Sequence, residues 1–204
     1  MQKQTNVQPI PQKLQEQILV VQRERLLPVQ AWHGLQQVDF EQYLAIIQQH
    51  KEFLPRWQME TDPHYKQIIP YLIFEHNDSY FIMQRKATAS EQRLQNKHTL
   101  GIGGHIRKED LDHGTSIYDW AKREFHEEVS YAGTLTIEPI GIINDDSNDV
   151  GKVHIGFAFL LHGDSPDIAI KSELKSGKLI RRDELSSYFS DMESWSQFVA
   201  EKLI

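Results

Sequence analysis

The chain of 204 residues contains no cysteine. That absence excludes disulfide staples, thiolate metal sites and a cysteine nucleophile together, and it suits a reducing compartment. Long apolar runs are missing too: nothing approaches the roughly 20 residues that cross a bilayer. The opening segment MQKQTNVQPIPQKLQEQILVV holds a short apolar run without the hydrophobic region of a secretory signal. A cytoplasmic location without a membrane partner is therefore expected. Positive charge is scarce, with 22 Lys and Arg against 29 Asp and Glu and a formal net charge of −7. Nucleic-acid polymers bind through phosphates neutralised by lysine and arginine, so a polymer is disfavoured. A small anionic ligand remains compatible with this balance if a local cation screens it. There is no H-x-x-x-H pair on a helix for a zinc protease and no G-x-S-x-G for a serine hydrolase.

What is present is ordinary globular composition, 39% hydrophobic and 25% charged. The length suits one medium domain, or one domain with an extension. Ile18 to Val21 reads as a short strand. Asp39 is placed to cap a helix carrying Phe40, Tyr43, Leu44 and Ile47 at helical spacing, with Gln42 as box partner and Pro55 as its end. With no linker before Gln67, residues 1–62 are expected to pack as an extension on a main domain, 63–204. QIIPYLIFEHNDSYFIMQRK reads as two strands joined at Asn77-Asp78, and Pro70 suggests an edge or a bulge. HTLGIGGHI is a strand broken by glycines. TIEPIGIIN and KVHIGFAFLL are strands flanking DDSNDVG, which reads as a solvated turn, since an EF-hand loop would need glycine and glutamate where Val150 and Gly156 stand. DELSSYF and MESWSQFVAEKLI read as helices, the second with a stripe of Met192, Trp195, Val199 and Leu203. Strands and helices mix without strict alternation, which predicts a mixed sheet with helices on its faces.

The chemistry concentrates in GIGGHIRKEDLDHGTSIYDWAKREFHEEV, residues 101–129. Ser116 caps a helix and Asp119 completes its capping box. Glu124, Glu127 and Glu128 fall at i, i+3 and i+4 and share one side. They lie beside the apolar stripe of Ile117, Ala121, Phe125 and Val129, not opposite it. Each like-charge pair at this spacing costs roughly 0.2–0.5 kcal/mol even when exposed. Arg123 offsets part of that cost and a divalent cation offsets the rest; hard oxygen ligands suit Mg²⁺ or Mn²⁺. Gly101, Gly103 and Gly104 permit a close approach of backbone to a ligand.

This segment resembles the Nudix box, G-x5-E-x7-R-E-U-x-E-E-x-G-U, with U aliphatic. Arg123-Glu124-Phe125-His126-Glu127-Glu128 matches its R-E-U-x-E-E half, with Phe125 at U, and Gly104 matches its first glycine. Nineteen positions separate Gly104 from Arg123 where the pattern has fourteen, so the loop is about five residues longer. Counted back from Arg123, the first glutamate is replaced by Thr115, and Ser130 replaces the late glycine. Glu109, Asp110 and Asp112 are the candidates to restore the carboxylate.

The resemblance implies an α/β (α+β) fold, a Nudix-like α/β/α sandwich with a mixed sheet. It implies a hydrolase that cleaves a pyrophosphate linkage in a nucleoside diphosphate-linked or nucleotide-like substrate with Mg²⁺ (or Mn²⁺). Glu124, Glu127 and Glu128 would bind metal and help activate water, Arg123 would orient them, and the Gly103 carbonyl would complete the metal shell. Gly104 falls on the substrate side. Glu173 stands where such enzymes carry a further catalytic glutamate. Arg85, Lys86, Arg93, Lys97 and His98 precede the box, and Arg85 with Arg93 is the preferred pair for substrate phosphates. His105 is either a substrate contact or structural. A homodimer is left open. Two alternatives stand beside the hydrolase. One is a Nudix-fold ligand-binding sensor without catalysis. The other is an isomerase of the isopentenyl diphosphate type, which the missing cysteine disfavours.

Overall fold

The computed structural model describes residues 11–27, 29–85, 97–114, 116–171 and 174–204. Strand β4 (Tyr65–His76) is its axis: of these twelve residues, those from Lys66 to Phe74 are all buried. Such a run, buried on both faces and apolar from Ile68 onward, is what a strand covered from both sides requires. β4 pairs in parallel with β10 (His154–Gly163), from His154 opposite Gln67 to His162 opposite Glu75. Its other edge is shared by three antiparallel partners: β1 (Gln17–Gln22), β7 (Gly101–Gly103) and β5 (Ser79–Arg85). β1 reaches residues 65–67 and β7 residues 71–73, so Pro70 falls between two partners, where the missing N–H breaks no ladder bond on that side. The strand is thus central, and the expected edge or bulge at Pro70 is not what accommodates it.

Outward from this axis, β2 (Gly34–Gln36) and β9 (Leu135–Asn144) extend the β10 side, and β12 (Leu174–Arg181) extends the β5 side. β3 (Glu52–Pro55) pairs β1, and β6 (His98–Thr99) pairs β5. β8 (Val129–Tyr131) and β11 (Ile168–Ile170) form a separate ladder. The sheet is therefore mixed. The hairpin between β4 and β5 turns on Asn77 and Asp78, both at positive φ, 49° and 60°, the geometry that such residues tolerate best in a two-residue turn.

Helices cover both faces. On one lie α2 (Phe40–His50) and α4 (Ile117–Glu128), whose Phe40, Ile47, Trp120, Ala121 and Phe125 join Leu72, Phe74, Phe157 and Phe159 in the larger core. On the other, α6 (Leu185–Tyr188) and α7 (Ser194–Leu203) bury Leu185, Val199 and Ala200 against Tyr71, Ile73 and Ala158. The short helices α1 (Arg23–Leu26), α3 (Arg56–Met59) and α5 (Asp149–Val153) are connectors. This is the α/β/α sandwich expected. Asp39 caps α2 through the Gln42 amide at 3.1 Å. The helix ends at His50, before Pro55, which closes β3 instead. No helix among the described residues is long and apolar enough to cross a membrane.

Candidate active site

The box helix α4 starts where its sequence says it should. Ser116 accepts from the Asp119 amide, and the Asp119 carboxylate accepts in return from the Ser116 N–H at 3.2 Å. Ile117, Ala121 and Phe125 face the core, with Phe125 fully buried and stacked at 6.1 Å on Phe74. That packing sets the rotation of the helix and so aims Glu124 inward, where it is only 9% exposed.

Above Glu124 passes the loop after β7. A Cβ added to Gly104 would stand 2.0 Å from Glu124 Oε1, so any side chain there would displace the Glu124 carboxylate from its place. At Gly101 the same test meets the Tyr71 ring at 2.1 Å. Gly103 closes β7 opposite Tyr71 and is exposed.

Arg123 gathers the carboxylates. Its Nη1 lies 2.7 Å from Glu127 Oε2 and 3.3 Å from Glu124 Oε2, and its Nη2 lies 3.0 Å from Asp110 Oδ2. Nη2 also reaches the His105 carbonyl at 3.3 Å. A second guanidinium, Arg107, stands 3.3 Å from Glu127 Oε1 and 3.5 Å from Asp110 Oδ1. Asp110 is buried and also accepts from the Arg107 amide at 2.7 Å, while Glu109 and Asp112 are exposed. Of the three candidates for the missing carboxylate, the structure places Asp110 on the arginine. The spacing carried the signal: counted forward from Gly104, Asp110 stands after five residues, as the box requires, and the extra length follows it. Trp120 holds this longer loop, donating from Nε1 to the carbonyls of Asp110 at 3.1 Å and Gly114 at 3.2 Å. Thr115 lies outside the described residues.

The electrostatics differ between neighbours. Burial pushes the Glu124 carboxyl up to about 7; Arg123 pulls against it, and the charges of Glu127 and Glu128 push with it. Glu127 is partly buried too, but the guanidiniums of Arg123 and Arg107 outweigh that and hold it below the usual carboxylate range. Arg123 Nε and Nη1 are buried with no hydrogen-bond partner among the described residues, so the 2.7 Å approach of Nη1 to Glu127 is an ion pair without hydrogen-bond alignment. Also among those residues, no group of three or more His, Asp or Glu stands close enough to hold a metal ion. The donor chemistry nevertheless fits one. Three carboxylates within two turns, one buried and raised by its neighbours, supply hard oxygens in excess of the local cations.

His105 is turned away from the carboxylates. Its Nε2 lies 2.6 Å from Gln67 Oε1 and 3.3 Å from His154 Nε2, and His154 Nδ1 lies 2.7 Å from the Val150 carbonyl. A nitrogen facing a carbonyl must carry the proton, so His105 donates from Nε2 to Gln67 Oε1 and His154 donates from Nδ1 to the Val150 carbonyl. Burial, then the charges of Arg56, His154 and Lys13, hold the His105 pKa well below normal. It reads as a neutral structural histidine. Of the remaining candidates, Arg85 ends β5 opposite Leu174. Its side chain, together with Lys86, Arg93 and Glu173, lies outside the described residues. Lys97 reaches the Ser190 carbonyl at 3.4 Å, and His98 packs on Tyr188.

The segment DDSNDVG is not a solvated turn. Asp145 is buried, and Asp146 is bound by Arg23 and by Lys66, itself fully buried. Residues from Asp149 form α5. The long-range partner Lys66 gave no local signal.

No family model matches the chain. Protein YmaB of Bacillus subtilis (strain 168) is 32% identical over 206 residues, spanning 94% of this chain and 98% of that protein. The crystal structure of Tm1382, assigned to the Nudix hydrolases, is 31% identical and superposes with a TM-score of 0.75 over 92% of this chain and 98% of its own. The chain belongs to the Nudix hydrolase superfamily. The NUDIX domain of Shewanella oneidensis NrtR, solved with ADP ribose, shares the fold at 12% identity with a TM-score of 0.54, over 67% of this chain and 85% of that one. Within the superfamily pattern, this Nudix box carries aspartate at its first acidic position and five additional residues before its arginine.

Proposed function

We propose that the protein hydrolyses the P–O–P linkage of a nucleoside diphosphate-linked or nucleotide-like substrate, with Mg²⁺ or Mn²⁺ held by Glu124, Glu127, Glu128 and the Gly103 carbonyl. One observation carries this reading: at the C-terminal end of the box helix two guanidiniums, Arg107 and Arg123, face three carboxylates, Asp110, Glu124 and Glu127, with Glu128 adding its charge to that of Glu124. An excess of negative charge, partly buried, is destabilising unless a cation completes it. When bound, the cation would lower the pKa of water and neutralise charge developing on the phosphates.

The chain's own residues do the rest. Arg123 fixes the mutual positions of Glu124, Glu127 and Asp110, so the carboxylates need no reorganisation on binding. Gly104 leaves room for the Glu124 carboxylate beside the backbone that a substrate approaches. A carboxylate of the set takes the water's proton as the oxygen bonds to one phosphorus, and the bridging oxygen leaves with the other. Glu173 is a second candidate for that proton. Supporting it, the chain is brought to the box helix two residues earlier, where the Lys171 amide donates to the Glu128 carbonyl at 2.8 Å.

The test is a turnover screen of nucleoside diphosphate-linked compounds, ADP-ribose among them, with Mg²⁺ and with Mn²⁺. Thermal melts run in parallel, with and without metal. Turnover that needs metal is expected. So is a rise in melting temperature equivalent to about 2.7 kcal/mol at a hundredfold excess over Kd, lost in Glu127→Gln. Tight nucleotide binding with no turnover of any compound would replace this reading by the ligand sensor.

A further inference from the structure

This inference rests on the hydrolase reading and concerns which residue meets the substrate's phosphates. The two guanidiniums among the box carboxylates are held differently. Arg123 is 18% exposed, with contacts of 2.7 and 3.0 Å to carboxylates and one to a carbonyl. Arg107 is 33% exposed, and its contacts to Glu127 and Asp110 are 3.3 and 3.5 Å. Charge-assisted hydrogen bonds normally close to about 2.7–2.9 Å. Arg123 is thus the more buried and the closer to its carboxylates, and Arg107 the more exposed and the more distant.

The backbone of Arg107 is fixed, however. It bridges to Ile18 of β1, its amide donates to Asp110 at 2.7 Å, and the preceding Ile106 carbonyl accepts from Leu19 at 2.8 Å. A strand from the N-terminal region thus pins the main chain while the guanidinium keeps weak partners. That combination suits a side chain that changes partner over a short distance.

Glu127 supplies the reason to change. Its Oε2 faces Arg123 and its Oε1 faces Arg107. A divalent cation held by Glu127 would displace Arg107 from that carboxylate and repel it. The released fork would remain beside the carboxylates that hold the cation, within reach of phosphate oxygens brought to it. Its planar donors match such oxygens bidentately. We propose that Arg107 binds the substrate's diphosphate: it rests on Glu127 while the cation is absent, and passes to the phosphate oxygens when the cation takes that carboxylate.

The test uses the full-length chain and calorimetric titration, first with Mn²⁺ alone, then with methylenediphosphonate at saturating Mn²⁺. In Arg107→Gln, Mn²⁺ should bind about 3–10-fold more tightly, since a competing cation is gone. Methylenediphosphonate should bind at least about tenfold more weakly, the value of a charged hydrogen bond. Arg107→Lys should fall between, keeping charge without the fork. If Arg107 merely supports the loop, Arg107→Gln weakens both ligands together and lowers the melting temperature; that result, or wild-type diphosphonate affinity in Arg107→Gln, overturns the proposal. A wild-type protein that binds both probes yet hydrolyses nothing defeats the hydrolase reading and leaves Arg107 assigned. An active Arg107→Gln with undiminished diphosphonate affinity does the reverse.

Discussion

Two acidic groups flank strand β4, and they are satisfied in opposite ways. At Asp145 and Asp146 every carboxylate oxygen has donors. Lys66, Arg23 and Asn144 bind Asp146 at 2.6–3.0 Å, and the side chains of Ser147, Asn148 and Ser194 bind Asp145. Burial alone would raise Asp146, but Arg23, Lys66 and Asn144 hold it well below the carboxylate range. At the box helix the donors fall short. Arg123 is shared among three carboxylates, and the Glu124 carboxyl rises to about 7 through burial. Sequence shows two acidic runs of similar look, DD and EE. What separates a structural lock from a site is the number of donors per carboxylate.

Breaking the lock should have the largest effect. Asp146→Asn leaves the fully buried Lys66 without its counter-charge, and breaking such a pair costs about 3–5 kcal/mol. Urea unfolding should show that loss, with catalysis by the folded fraction unchanged; a loss below about 1 kcal/mol would mean that the two regions do not differ as described. At the box the cost moves from stability to rate. Glu127→Gln should lower kcat by about 10²–10³ while barely moving the melting temperature, because its side chain is 49% exposed.

The pH dependences should run in opposite directions. Glu124 is raised from 4.5 to about 7 in the folded chain, so the native state holds a proton that the unfolded state has lost. Metal-free stability should therefore fall as pH rises from about 4.5 to 7, by on the order of 2–3 kcal/mol. Glu124→Gln should flatten that slope. Asp146 is depressed, so its contribution is present above about 3.8 and is lost as pH falls through its lower folded value. Unfolding free energies from the acid limit below pH 3 up to pH 8 in the two variants separate the contributions. The smallest effect is expected within the long loop: Glu109→Gln and Asp112→Asn, both exposed, should stay within about 0.5 kcal/mol, and a rate loss in either would show that Asp110 is not the carboxylate that matters.

Much of this was legible in the chain because it was written locally. The capping boxes at Asp39 and Ser116, the Asn77-Asp78 turn and the glutamate spacing on α4 each lie within a few residues. The arginine's partner was legible in part: counting back from Arg123 leads to Thr115, whereas counting forward from Gly104 leads to Asp110. A loop inserted on one side of a residue shifts one count and not the other. Lys66 and Asp146 are eighty positions apart and meet through tertiary packing, so no local pattern revealed them. The same holds for the pinning of Arg107 by Ile18.

The pairing at the centre of the sheet has a consequence for how the chain reaches this state. β4 and β10 lie side by side in parallel, each residue opposite one that is 87 positions later. A parallel neighbour needs a long crossover and a large loop closed before its contacts can repay the entropy. During synthesis β4 therefore leaves the ribosome with one flank uncovered, although its residues from Lys66 to Phe74 are all buried in the folded protein. Until His154–Gly163 has emerged, that flank is an open edge suited to pairing with another nascent chain. Slow translation between Arg85 and His154 would prolong that exposure and lower the yield of folded protein, whereas slow translation after Gly163 would not.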